Sequence, residues 1–168
     1  MSIISPSAHA QPDAPVSGGR GSLQLLIVDD DGAQRMLISA AARQAGHAVT
    51  LAQSCSEAIQ QIQTARFDCV TVDLMLGDGD GTGVLLALAE AKFTGAVIVI
   101  SGMNAERRIA ARAYARSLGM ELQSLPKPVD LAALRICFAN LCKTNKGLPV
   151  MHTWGGTKVD GVAELHRS

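Results

Sequence analysis

Short apolar runs recur along the middle of this chain, separated by segments with helical patterning, and that alternation limits the possible folds more than any other feature. Residues 23–28 are apolar apart from Gln24, residues 96–100 are wholly apolar, and Cys69–Val72 and residues 48–51 are nearly so. Apolar runs this short and this continuous read as strands buried on both faces. Residues 121–125 supply a weaker fifth run. Between the runs lie helix signals. Residues 33–45 stop at Gly46, a suitable C′ glycine. Ser54, with Glu57 three residues on, forms a capping box for a helix through 63. Residues 84–92 carry Leu85 and Leu88 on one side and end before Gly95. Asn104 is placed to cap a helix through about residue 117, ending near Gly119. Residues 130–142 carry Leu131, Leu134, Phe138 and Leu141 as an apolar stripe. Strict strand–helix alternation implies right-handed crossovers and an α/β fold with a doubly wound five-stranded parallel sheet, covered on both faces.

Composition narrows the function. Of 168 residues, 48% are hydrophobic and 18% charged, which excludes a disordered chain. Lys plus Arg and Asp plus Glu are 15 each, so nothing in the overall charge draws the chain to nucleic acid or an anionic membrane. Aromatics at 3% argue against base-stacking platforms. No apolar run approaches the roughly 20 residues of a membrane span. Residues 1–21, rich in Pro, Ser, Gly and Ala, are expected to be a flexible leader; the Gly-rich residues 143–168, with Trp154, a flexible tail; and 22–142 the folded domain. Ala8-His9-Ala10 looks like a signal-peptidase site but lacks the basic and apolar regions that should precede it, so a cytoplasmic location is expected. Cys55, Cys69, Cys137 and Cys142 show no C-x-x-C spacing and read as small hydrophobes in a reducing compartment.

Polar residues collect where the strands end. Asp29, Asp30 and Asp31 follow the first strand, Asp73 the third, Ser101 the fourth and Lys127 the fifth. In a parallel sheet all carboxyl ends share one edge, where ligands bind. Carboxylates gathered there repel one another unless a hard divalent cation compensates them, and Mg²⁺ accepts a few carboxylates while keeping several waters. A lysine and a small hydroxyl suit the oxygens of a phosphoryl group. The chemistry that uses all these parts is phosphoryl transfer to a carboxylate.

The segments LLIVDDD (25–31), VDLMLGDGDGTGV (72–84), VIVISG (97–102) and LPKPVD (125–130) resemble the receiver domains of bacterial two-component response regulators, over roughly residues 22–142. The resemblance implies a flavodoxin-like (βα)5 fold with strand order 2-1-3-4-5. It implies that Asp73 is the phosphoacceptor, taking its phosphoryl group from a sensor histidine kinase or histidine phosphotransfer protein. Asp30 would ligate Mg²⁺ directly, Asp29 mainly through water, and the backbone carbonyl of Met75 would be a further ligand beside Asp73. Ser101 would hydrogen-bond the phosphoryl group, Lys127 would pair with the carboxylate and then the phosphoryl group, and the Lys127–Pro128 bond is often cis in this family. Phosphorylation would draw Ser101 inward and bias the face of the fourth helix, fifth strand and fifth helix; a monomer, or a weak dimer through the fourth and fifth helices, is expected. Asp31 reads more simply as a helix cap.

Three positions depart from the family pattern. Gly77 replaces a usual proline, in a run with Gly79, Gly81 and Gly83 that is expected to be a mobile loop. Ser124 replaces a switch aromatic, so output is expected to use another element. Met75 and Met103, two residues after Asp73 and Ser101, are expected to hinder attacking water and slow loss of the phosphoryl group.

Other readings fit less well. The DGDG segment at 78–81 lacks the closing Glu of a calcium loop, and its glycines do not form a dinucleotide motif. Arg108, Arg112 and Arg116 lie on one helix face, which is either a solvated face or a dock for an acidic downstream protein. His9, His47, His152 and His166 form no cluster. An aspartyl-phosphate phosphatase of haloacid dehalogenase type would need a Thr where Ala33 stands, and an intact acidic pocket argues against a scaffold that never accepts phosphate. The reading is therefore a signalling module that catalyses only its own phosphorylation and dephosphorylation.

Overall fold

The computed structural model describes residues 21–102 and 104–144. Most of the expected leader and tail, with Trp154, and Met103 lie outside these residues. Five strands, β1 (Gln24–Val28), β2 (Ala48–Ala52), β3 (Cys69–Val72), β6 (Ala96–Ser101) and β7 (Leu122–Pro126), form one parallel sheet in the order β2-β1-β3-β6-β7. Counted along the chain, this is the 2-1-3-4-5 order of the flavodoxin-like fold. The helices are α1 (Gly32–Gln44), α2 (Cys55–Thr64), α3 (Thr82–Glu90), α4 (Ala105–Ser117) and α5 (Leu131–Thr144).

Alternate residues of each strand feed two separate cores, as the period of a pleated strand requires. Leu26, Val28, Val70, Val72, Val97 and Val99 face one way and pack with Ala58 and Ile62 of α2, Leu85 and Leu88 of α3, and Ala111 and Ala115 of α4. Leu25, Ile27, Cys69, Ile98 and Ile100 face the other way, onto Ile38 and Ala42 of α1 and Leu134 and Phe138 of α5. Full burial of each Leu, Ile or Phe contributes about 1.5–3 kcal/mol, so both layers are needed.

Local signals set the helix ends. Asp31 caps α1 by accepting from the amides of Ala33 and Gln34. Ser54 accepts from the Glu57 amide, while the Glu57 carboxylate reaches back to the Gln53 amide. Asn104 accepts from the Arg107 amide. Gly46 and Gly119 sit at φ 89° and 76°, the left-handed region that closes a helix without a Cβ penalty.

The glycine-rich run differs from the expected loop. It folds into an antiparallel hairpin of β4 (Met75–Leu76) and β5 (Gly79–Asp80). The Asp78 carboxylate at its tip accepts from the amides of Cys55 and Ser56 at 2.8 and 3.2 Å, fastening it to α2. Asp80 accepts from the Thr82 amide, so α3 starts two residues before the expected Val84. A Cβ on Gly81 would lie 2.4 Å from the Asp73 carbonyl oxygen and 2.7 Å from the Leu74 Cα, so only glycine fits there.

His47, which sequence reading left without a role, is buried. Its Nδ1 lies 3.4 Å from the Leu23 amide and its Nε2 2.9 Å from the Phe138 carbonyl oxygen, joining the residue before β1 to α5. Cys55, Cys69 and Cys137 are free thiols, and burial pushes that of Cys69 up to about 12. Among the described residues no helix is long and apolar enough to cross a membrane.

Candidate functional site

Strand register assembles the site. Val28 pairs with Val72, so Asp29 and Asp73 leave the sheet at the same level, and the Asp73 amide donates to the Val28 carbonyl oxygen at 2.9 Å. Val72 pairs with Val99, which carries Ser101 to the same edge, and Ser101 pairs with Pro126, which puts Lys127 one step beyond. The Lys127–Pro128 peptide is cis.

Carboxylate oxygens of Asp29, Asp30 and Asp73 lie within 4.8 Å of one another. Asp29 and Asp73 are buried, whereas Asp30 is exposed and opens the cluster to solvent. The Lys127 ammonium bridges the buried pair, 2.6 Å from Asp73 Oδ2 and 3.0 Å from Asp29 Oδ2. Their other oxygens accept from backbone: Asp29 Oδ1 from the Asp31 amide and Asp73 Oδ1 from the Met75 amide, both at 2.9 Å. Burial pushes the Asp29 carboxyl above its ordinary value, and the nearby Asp73 adds to the rise; the bonds from Lys127 and Asp31 only partly offset it. Burial pulls the Lys127 ammonium down, but its bonds to Asp73 and Asp29 outweigh that and hold it above the usual lysine value. The lysine is closer to Asp73, which leaves Asp29 the less compensated of the two.

One ammonium does not neutralise three carboxylates. A small hard cation with oxygen ligands fits the donor set, since every side-chain donor is a carboxylate and one of them faces water. The Ser101 hydroxyl is buried and has no hydrogen-bond partner among the described residues, as a group reserved for a ligand would. The Ser124 hydroxyl, two pairings back along the β6–β7 ladder, is likewise unpartnered.

Asp29, Asp30, Asp73, Ser101 and Lys127 thus converge on one edge, and Met75 stands beside Asp73, 54% exposed. The arginine stripe is less uniform than its spacing implies: Arg112 and Arg116 are exposed, but Arg108 is half-buried. Sequence reading missed an open groove of about 790 Å³ between the hairpin and α4, lined among others by Asp30, Met75, Gly77, Arg107 and Tyr114. It also missed Arg107, whose Nη1 lies 3.8 Å from the Met75 sulfur. Its only advance signal was its place three residues after the cap Asn104.

Comparison with known proteins agrees with this geometry. The sequence profile of the family described as "Response regulator receiver domain" matches residues 25–138. The chain is 37% identical over 137 residues to the acid tolerance regulatory protein ActR of Sinorhizobium medicae, covering 79% of this chain and 67% of that protein. It is 32% identical over 116 residues to the transcriptional regulatory protein ZraR of Salmonella typhimurium, covering 69% of this chain but only 25% of that protein. The solved receiver domain of the Francisella response regulator 1452 superposes with a TM-score of 0.65 at 25% identity, over 74% of this chain and 99% of that one.

Proposed function

Because the chain belongs to the response-regulator receiver family, whose members are phosphorylated on an aspartate in two-component signalling, we propose that it is a phosphorylation-controlled switch with Asp73 as its phosphoacceptor. The observation that carries this reading is the Asp73 carboxylate, bridged by Lys127 at 2.6 Å and clustered with Asp29 and Asp30 at the mouth of the sheet. A sensor histidine kinase or histidine phosphotransfer protein is the donor. An Asp73 oxygen attacks phosphorus, the bond from phosphorus to the donor's imidazole nitrogen breaks, and that nitrogen takes a proton. Lys127 then pairs with the phosphoryl oxygens, and the unpartnered Ser101 hydroxyl donates to another.

Asp29, Asp30, Asp73 and the Met75 carbonyl are the residues that would hold Mg²⁺. The ion, when bound, supplies positive charge for the oxygens of the transferring group. The protein's own part is to hold the buried pair Asp29 and Asp73 aligned against their mutual repulsion, through the Lys127 bridge and one backbone amide to each.

Residues 22–142 act as the receiver unit, in the cytoplasm. The chain spans a quarter of ZraR, so the output of a longer relative is not carried over. Downstream contact is with a protein rather than nucleic acid, through the face of α4 that carries Arg108, Arg112 and Arg116. Met75, exposed beside the phosphoacceptor, shields the phosphoryl group from water and prolongs its life.

Intact-protein mass spectrometry after incubation with acetyl phosphate tests the reading, with and without Mg²⁺, for wild type and Asp73→Asn. A single phosphoryl adduct that requires both Mg²⁺ and Asp73, and decays slowly, is the expected result. No adduct under any condition would leave a binding scaffold; turnover of a generic phosphomonoester would indicate a phosphatase instead.

A further inference from the structure

We propose that Arg107, on the first turn of α4, binds the phosphoryl group formed on Asp73 and thereby ties α4 to the phosphorylated state. The inference rests on Asp73 as phosphoacceptor and goes beyond it by adding a cation from α4 to the phosphorylated site.

The path from Asp73 to Arg107 is short. Asp73 Oδ1 accepts from the Met75 amide at 2.9 Å, and the Met75 sulfur lies 3.8 Å from Arg107 Nη1. Arg107 and Asp30 line the same groove, which opens beside the carboxylate cluster. A guanidinium has five N–H donors suited to phosphate oxygens, and a thioether is among the weakest acceptors available to it. Among the described residues Arg107 has no carboxylate within ion-pair distance, whereas Lys127 is already shared between Asp29 and Asp73.

Charge counting gives the cation a purpose. Asp29, Asp30 and Asp73 contribute three negative charges and Lys127 one positive, so a bound divalent cation brings the site to neutrality. Phosphorylation replaces the single charge of the Asp73 carboxylate with the roughly two charges of a phosphoryl group, leaving about one uncompensated. Arg107 is the cation across the groove that can supply it, by leaving the Met75 sulfur for a phosphoryl oxygen. A ligand shifts a conformational equilibrium only through contacts that differ between the two states, and this contact exists in one of them alone. It gives α4 a direct link to the phosphoryl group in a chain where Ser124 stands in place of a switch aromatic.

Beryllium fluoride with Mg²⁺, a noncovalent mimic of a carboxylate-bound phosphoryl group, is the probe. It is titrated calorimetrically into the full chain as wild type, Arg107→Ala, Arg107→Lys and Arg112→Ala, with Mg²⁺ alone titrated in parallel. Losing one charge-assisted contact should weaken beryllium fluoride binding about tenfold in Arg107→Ala. Arg107→Lys should recover part of that loss, and Arg112→Ala, five residues on and turned to another side of α4, should stay within about twofold of wild type. Affinity for Mg²⁺ alone should not fall in any variant. Equal affinity in wild type and Arg107→Ala overturns the proposal, as does an equal loss in Arg112→Ala, which marks a general field effect. No binding to wild type overturns the phosphoacceptor reading, and the role of Arg107 with it.

Discussion

At the scale of single residues, Lys127 has the heaviest duty, because one ammonium serves two buried carboxylates. Removing one partner of a buried ionic group leaves the others desolvated and unpaired, which costs more than the pair itself contributed. Lys127 is partly exposed, so water recovers some of that cost. Lys127→Met is expected to lower unfolding stability by about 1–3 kcal/mol in metal-free urea titrations. Asp73→Asn should move stability the opposite way, because it removes one of the repelling charges. Equal stability of Lys127→Met and wild type would mean that the bridge does not compensate the carboxylates. The site therefore trades stability for function, with Gly81 as its steric counterpart: the hairpin lies so close to the Asp73 backbone that no side chain fits there.

At the scale of elements, the β4–β5 hairpin shows how a run of glycines acquires one conformation. Its own pairing is only two residues per strand, too little to persist alone. The hairpin is held by Asp78, whose carboxylate takes the free first-turn amides of Cys55 and Ser56 in α2. Those two backbone bonds hold the Asp78 carboxyl below its ordinary value. A depressed carboxyl contributes stability above its unfolded-state value of 3.8 and loses it as pH falls through the lower folded-state value. Asp78→Asn should therefore melt below wild type at neutral pH, and the gap should close as the pH drops below the ordinary aspartate range. Thermal melts of both proteins between neutral and strongly acid pH check this; a gap independent of pH would assign the effect to something other than the carboxylate.

At the scale of the whole molecule, the sheet brings residues distant in sequence to one edge, and a cation bound there reports on the fold. Anything that binds the native state alone stabilises it, by about 2.7 kcal/mol at a hundred times its dissociation constant. Mg²⁺ is expected to raise the melting temperature of wild type but not of Asp30→Asn. Asp30 is exposed and makes no contact with Lys127, so its loss should leave the metal-free fold intact. An equal rise in both proteins would remove Asp30 from the metal site.

Much of this was legible beforehand, for a physical reason. The buried strands are short apolar runs, and a parallel sheet has one carboxyl edge, so Asp29, Asp73, Ser101 and Lys127 were bound to meet once the alternation was recognised. Caps such as Asp31, Ser54 and Asn104 are local, because a side chain and an amide two or three residues away suffice. The missed features depend on contacts between segments far apart in sequence. Nothing near residue 78 shows that its carboxylate caps a helix beginning at Cys55, and nothing near His47 shows that its ring joins Leu23 to Phe138. Arg107 reads as one more exposed base on a helix until the fold sets it over Met75. Periodicity and strand-end chemistry are properties of the chain, and the sequence determined them; which distant side chains share a groove depends on how the helices pack over the sheet, and the tertiary structure alone decided that.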